Sequence, residues 1–424
     1  MLARQGVEVE LLEMRPEVMT PAHKTARPAE LVCSNSFKAY GTRTAHGLLK
    51  DELAMLDSPL QAIAVQCRVP AGSALAVDRG LFSAGVEQEL GRQSTLTFLR
   101  RECAAAPPPE MFCIIAAGPL VSEKLAAWLA GAFSQEALFF YDAIAPIVAG
   151  ESVDFGRAFF ASRNEPESTD YLNCPFTEEE YRRFYEALRE ADRVVAHEFE
   201  EARFFEACLP IEVVAERGYR APAFGILKPI GLIDPASGKR PYAVCQLRRE
   251  NPAGDSYSMV GFQTRLRVAD QQRVFRLIPG LEHADFLRYG SIHRNTYMDS
   301  PRLLRHDLSF KSRDTLFLAG QISGSEGYTE SIATGHLAAR SVLARLRGRR
   351  FSPPPETTAM GSMLRHITVP GPGVFSPSNI NFGLMPSIAS AGRKRIPKRE
   401  KKRMLCERAL HDLREWTRVD STVS

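Results

Sequence analysis

Leu316-Phe-Leu-Ala-Gly-Gln-Ile-Ser-Gly-Ser-Glu-Gly-Tyr-Thr-Glu-Ser-Ile-Ala-Thr-Gly335 decides how the rest of the chain is read. The apolar run closing at Ala319-Gly320 predicts a buried strand, and Gly324, Gly327 and Gly335 let backbone approach a bulky ligand. A helix predicted from about Tyr328, continuing through the small, periodic residues His336 to Leu343, turns unpaired N–H groups toward that ligand. Strand, glycine loop and helix N-terminus suit a pyrophosphate or the electron-rich edge of a flavin. A tight turn between a core strand and a core helix has the same pattern, so both readings stay open on this stretch alone.

Working outward, Met111-Phe-Cys-Ile-Ile-Ala-Ala-Gly-Pro119 is a continuous apolar run, expected of a central parallel strand covered on both faces. Its end at Gly118 resembles the strand-end turn at which a flavoprotein chain passes its cofactor. Val7 to Glu13 reads as a strand finishing in the acidic residue that, in a dinucleotide-binding unit, bonds the ribose hydroxyls. The strand and GxGxxG turn that precede such an acid are not in this sequence, so either the unit starts in its middle or the opening is something else; the favoured reading is a chain shortened at its N-terminus. Ser34, Asn35 and Ser36 are helix-capping types for a segment running toward Leu53, which puts Cys33 near a helix N-terminus where a thiolate is favoured. A buried, inert cysteine is the alternative.

Between these parts the pattern changes. Phe139 to Val148, Tyr171 to Pro175, Tyr242 to Leu247 and Tyr257 to Phe262 predict an antiparallel sheet inserted into an α/β frame. Thr177-Glu-Glu-Glu180 is a capping box, followed by Tyr181, Phe184, Leu188, Ala191 and Val195 at helical spacing. Cys208 lies beside Pro210 and one helical turn from Glu212, and Ile292 to Tyr297 sets His293 among aromatics, where it could stack on a ring or face solvent. The expected division is a first flavin-binding part over 1–150, an inserted α+β unit over 151–305, a second flavin-binding part over 306–390, and a basic tail over 391–424. The fold expected is α/β, a discontinuous Rossmann-like, glutathione-reductase-type parallel sheet domain carrying an insertion.

Composition narrows the class. With 424 residues, 44% hydrophobic and 25% charged, the chain can bury a core of two or three domains, and a net charge of +4 leaves any attraction to nucleic acid to local patches. The strongest patch is Arg393 to Arg403, which suits polyphosphate or RNA. Eight cysteines without a CxxC pair argue against a zinc site and a secreted disulfide framework, and neither a spanning run nor a signal layout is seen. A reduced cytoplasm is the expected setting.

Taken together, Leu12-Glu-Met-Arg-Pro16, Thr20-Pro-Ala-His23, Ala29-Glu-Leu-Val-Cys-Ser-Asn-Ser36, Pro70 to Arg79, Tyr171-Leu-Asn-Cys-Pro175, Cys208-Leu-Pro-Ile-Glu212, Gly238 to Val244, Val260 to Thr264, Phe275 to Leu281, His293-Arg-Asn-Thr296 and Gly320 to Gly335 resemble the folate- and FAD-dependent tRNA (uracil-5-)-methyltransferase family. The likeness covers almost the whole chain except the absent first strand and GxGxxG turn. It implies that methylenetetrahydrofolate donates a methylene by way of FAD to C5 of a uridine in the tRNA T loop, with NADPH or NADH as reductant and no metal. The resemblance makes Cys208 the nucleophile at uracil C6 and Cys33 the base, or the thiol that holds the methylene, with the two roles exchangeable. It assigns Glu13, Arg15, Ser34, Asn35, Gly118, Gly320, Gln321, Gly327, Tyr328, Glu330 and Ser331 to the flavin, and His293 and Asn381 to folate. Rival readings are the same chemistry on a ribosomal RNA uridine, an NAD(P)H flavoprotein oxidoreductase acting on a small molecule, and a non-catalytic RNA-binding remnant.

Overall fold

The strand Val9–Glu13 follows a single 3-10 turn, Ala3–Gln5, that Gly6 closes at φ 77°, a left-handed setting in which glycine pays no Cβ penalty. The structure, a computed structural model, describes residues 1–133, 138–163, 168–194, 209–388 and 396–422. Val9–Glu13 runs parallel to Leu96–Arg100, with Glu13 opposite Arg100. The helix Arg79–Gly91 connects back to that partner, capped by Asp78 and burying Phe82 and Val86 as the 3.6-residue period requires.

A second parallel pairing carries the glycine loop. Arg313–Leu318 lies beside Cys113–Ile115 with Leu318 opposite Ile115, and Ser309–Phe310 pairs antiparallel on its other side. Partners so far apart in sequence make the α/β frame discontinuous. Leu316, Phe317, Leu318 and Ala319 are fully buried, and the helix Tyr328–Leu346 packs Ala333, Leu337, Ala338 and Val342 onto the same core. The apolar run from Met111 departs from expectation. Only Cys113–Ile115 pairs, at the edge of its three-stranded sheet, and Met111 before it is 52% exposed, so the strand is shorter than the apolar run and is not a central one.

Between the two halves of the frame lies a six-stranded antiparallel sheet, in the order Phe286–Arg288, Ile147–Ala149, Ser256–Met259, Ala243–Arg249, Tyr171–Phe176, Phe159–Phe160. The helix Glu178–Glu190 packs on it through Tyr181, Phe184 and Leu188, and starts at the expected capping box, with Thr177 and Glu180 bonding reciprocally. Val195 lies outside the described residues, and Ala191 already ends the helix. An antiparallel ribbon, Leu138–Ile144 with Ser291–Tyr297, joins the sheet to the frame: Thr296 donates its N–H to Pro119 O and Met298 to Ile322 O, both at 2.9 Å. The last helix, Lys398–Thr422, buries Leu405, Ala409, Leu413 and Trp416 on one stripe. Among the described residues no helix is long and apolar enough to cross a membrane.

Candidate cofactor and thiol site

The glycine loop is shaped by close approach. Gly327 sits at φ 118°, and a Cβ there would lie 2.4 Å from the Glu330 carboxylate; one on Gly324 would lie 2.4 Å from the Phe375 ring. The loop is closed by a strap over residues 375–380: Glu326 N–H donates to Ser378 O at 3.0 Å, Ser378 N–H to Gly324 O at 3.1 Å, and Ile380 N–H to Glu330 Oε1 at 3.1 Å. Gly320 N–H is anchored on Thr334 Oγ1 at 2.9 Å, and a Cβ added at Gly320 would meet Ser331 at ordinary contact distance. The N-cap of the helix that begins at Tyr328 is Gly327, which has no side chain to cap it, so the first two N–H groups of the helix receive no bond from that residue. A cleft of about 420 Å³ runs beside this helix, lined among others by Glu30, Phe37, Ala116, Tyr328, Ser331 and Gly335.

Charged groups crowd the loop. Glu330, 1% exposed, bonds His46 Nδ1 at 3.3 Å; burial pushes its carboxyl up, but His46 and Lys38 outweigh that and hold it below the ordinary range. Glu326 goes the other way, up to about 8, because burial and the neighbouring Asp142 exceed the pull of Lys38 and of the Gln321 amide, 2.5 Å away. Lys50, buried with its ammonium on the Ala39 and His46 carbonyls at 3.1 Å each, is pulled down to about 8 by burial.

Cys33 is not at a helix N-terminus. Ser36–Ala39 is a strand paired with Ala74–Val77, and the helix starts only at Ala45, capped by Thr44. The Cys33 amide donates to the Tyr328 hydroxyl at 3.3 Å, and its Sγ lies 3.5 Å from that oxygen. Burial pushes the thiol up to about 12, aided by Asp142 and Glu326, while Tyr328 and Arg79 pull the other way. The expected thiolate is therefore corrected to a thiol, because burial disfavours the charged form and the neighbouring carboxylates add to that.

Arginines set the loop that carries it. Arg79, ion-paired to Glu250 at 2.6 Å, holds the Leu31 and Val32 carbonyls; Arg288 holds Val32 O at 3.0 Å and Ala22 O at 3.2 Å. Arg248, from the inserted sheet, donates to Asn35 Oδ1 at 2.8 Å and Ser34 Oγ at 2.9 Å, so both side chains are turned toward that sheet. Glu13 receives Arg15 on both oxygens at 3.0 Å, and Arg15 also pairs with Glu30 at 3.1 Å. Burial raises the Glu13 carboxyl, and these bonds more than reverse it. Among the described residues Oε2 of Glu13 carries only the Arg15 bond and keeps a lone pair for a hydroxyl.

His293 faces Asp142 across the ribbon, Nε2 to Oδ2 3.8 Å, and burial lowers its pKa, keeping the ring neutral. Its Nδ1 and the Asn295 Oδ1 are buried without a partner among the described residues. Two orphaned polar atoms beside a glycine cradle are what a polar heterocycle would satisfy, so the residues present fit a flavin and a second ring. The structure thus gathers Gly320, Gln321, Gly327, Tyr328, Glu330, Ser331 and Cys33 at one loop. Gly118 turns at φ 70° just before Pro119, where the ribbon is tied down. Asn381 follows the strap and is exposed, donating to Asn379 O at 3.0 Å and holding the turn to Gly383 through its Oδ1. Cys208 lies outside the described residues. Glu212, beyond it, is fully buried and spends its carboxylate on Thr264 Oγ1 and Arg265 N–H at 2.9 Å each. Sequence reading passed over Asp142, Glu326, Lys50 and the three arginines; a lone acid in the apolar run Phe139 to Ile144 was the signal for Asp142.

Comparison with known proteins bears on this arrangement. Residues 1–350 match the family described as glucose inhibited division protein A. The TrmFO methylenetetrahydrofolate–tRNA-(uracil-5-)-methyltransferase of Anaeromyxobacter dehalogenans is 50% identical over 99% of this chain and 92% of its own. Those of Koribacter versatilis and Bacillus licheniformis are each 48% identical, over 98% and 99% of this chain and 94% and 95% of theirs. Among solved structures, Aquifex aeolicus GidA in its form II crystal superposes with a TM-score of 0.66 at 14% identity, over 98% of this chain and 70% of that one. That likeness bears out the fold class, the split α/β frame with an insertion.

Proposed function

This chain belongs to the glucose inhibited division protein A family and, within it, to the TrmFO methyltransferases, and from that premise we propose that it methylates the T-loop uridine of tRNA at C5. The methylene comes from methylenetetrahydrofolate. FAD, when bound, carries the one-carbon unit and, reduced by NAD(P)H, supplies the hydride that completes the methyl group. The observation that carries the reading is the identity of about half of all positions with the Anaeromyxobacter enzyme over nearly both full lengths.

Uracil C5 is a poor nucleophile until a thiolate adds at C6, and that role falls to Cys208. Cys33 is the weaker choice for the addition, because a thiol raised to about 12 stays protonated at neutral pH. The same protonation disfavours it as the base at C5, because a sulfur that already carries its proton cannot accept another. Gly320, Gln321, Gly327, Tyr328, Glu330 and Ser331 hold the flavin, Glu13 with Arg15 the ribose, and Gly118, Ser34 and Asn35 shape the walls. His293, neutral and lacking a partner at Nδ1, takes the folate ring, with Asn381 at the rim. The division at 150, 305 and 390 belongs to the same proposal, with the first boundary moved ahead of Ile147, because Ile147–Ala149 is a strand of the inserted antiparallel sheet.

The test is Cys208→Ala, assayed with unmodified tRNA and unmodified ribosomal RNA side by side. The wild-type protein forms 5-methyluridine in tRNA alone, and the variant forms none while retaining its flavin. Methylation retained by the variant would remove Cys208 from the chemistry, and methylation of ribosomal RNA would move the target.

A further inference from the structure

A second cavity, of about 980 Å³, opens in the inserted unit and shares no lining residue with the glycine loop. Its walls combine Arg220, Lys228, Lys239 and Arg240, all exposed, with the aromatic ring of Phe224, 75% exposed, and the side chain of Ile230, 57% exposed. Leaving such a ring and aliphatic chain in water at the end of the short helix Ala221–Phe224 gains the fold nothing. The acids around the cavity are mostly spent. Asp234 closes its own turn, accepting from Ala236 N–H at 3.0 Å and Ser237 Oγ at 2.7 Å. Glu180 serves the capping box and, with Glu282, takes up Arg157 at 2.5 and 2.6 Å. None of the four cations forms an ion pair among the described residues, and only Glu178 remains as an uncommitted acid in the lining.

Unspent positive charge around an exposed aromatic is the chemistry that grips a phosphodiester backbone and stacks an unpaired base. We propose that this groove is a second RNA-docking surface, seating a stretch of the tRNA away from the reacting uridine, with phosphates on Lys239 and Arg240 and a base on Phe224. The inference rests on the reading of tRNA as substrate. It also gives the inserted unit a task of its own, since the segment after Cys208 and the groove belong to one stretch of chain.

The full-length protein is titrated with unmodified tRNA over a range of salt. Lys239→Ala with Arg240→Ala weakens binding about tenfold at 0.1 M salt and lowers the slope of log Kd against log salt by about two, the signature of two lost phosphate contacts. Phe224→Ala weakens binding about tenfold and leaves the slope as it was, as loss of stacking requires. All three positions are exposed, so unchanged urea midpoints and flavin content verify the fold. Wild-type affinity and slope in both variants would overturn the groove while leaving tRNA methylation standing. A groove that seats a second copy of the chain would show instead as altered sedimentation with tRNA binding intact, and would overturn it equally. If the wild-type protein neither binds nor methylates tRNA, the functional reading fails and the groove with it.

Discussion

Cys33 owes its state to neighbours remote in sequence. Its thiol meets Tyr328, 295 positions away, and burial, with Asp142 and Glu326 nearby, keeps it protonated. A pKa near 12 in place of the ordinary value lowers the thiolate fraction at pH 8 about a thousandfold. Iodoacetamide labelling of the native protein, read by peptide mass, therefore leaves Cys33 unmodified where the unfolded chain labels fully; rapid labelling at pH 8 would contradict this. The sequence could not reveal it, because Ser34 and Asn35 look like helix caps and their actual partner is Arg248, more than two hundred positions on. Gly327, by contrast, was legible, since its demand comes from Glu330, three positions on. Gly327→Ala places a Cβ on the Glu330 carboxylate at a φ that L-residues avoid, and lowers stability by about 1–3 kcal/mol. Flavin absorbance after purification falls with it. A variant as stable and as yellow as the wild type would mean the loop yields freely.

At the scale of elements, most strands and helices follow from periodicity. The capped helix Glu178–Glu190, the strand Arg313–Leu318 and the helix Tyr328–Leu346 stand where spacing puts them. The edge position of Cys113–Ile115 could not be read, because an apolar run does not say how many neighbours it has. Nor could the role of Glu52, which leaves its own helix to accept from Ala359 and Met360 N–H at 2.6 and 2.8 Å and so caps the helix Ala359–Thr368. Burial raises the Glu52 carboxyl to about 8 against the pull of those two amides. Folding thus favours the protonated form: the stabilisation is full below the ordinary carboxylate pKa and is lost as pH rises through about 8. Glu52→Gln cannot titrate, so its urea midpoint declines less between pH 6 and pH 9 than that of the wild type. Parallel declines in the two proteins would show that Glu52 does not carry this pH dependence.

At the scale of the whole molecule, the α/β frame is assembled from both ends of the chain and the antiparallel sheet is set between them. Arg248 and Arg288 reach from the inserted segment to the loop of Cys33, so the thiol's setting depends on both parts being in place. The sequence announced the insertion through its change of pattern, yet it gave no sign of this clamp, which is an agreement between distant arginines and backbone carbonyls. The central claim is that the new carbon on the RNA is the folate methylene. It is tested most directly by incubating the protein with FAD, NAD(P)H, unmodified tRNA and methylenetetrahydrofolate deuterated at the methylene, then weighing the T-loop nucleoside. The account predicts a methyl group carrying both deuteriums, its third hydrogen supplied by the reduced flavin. An unlabelled methyl group, or nicotinamide consumed with no methyl group formed, would contradict it.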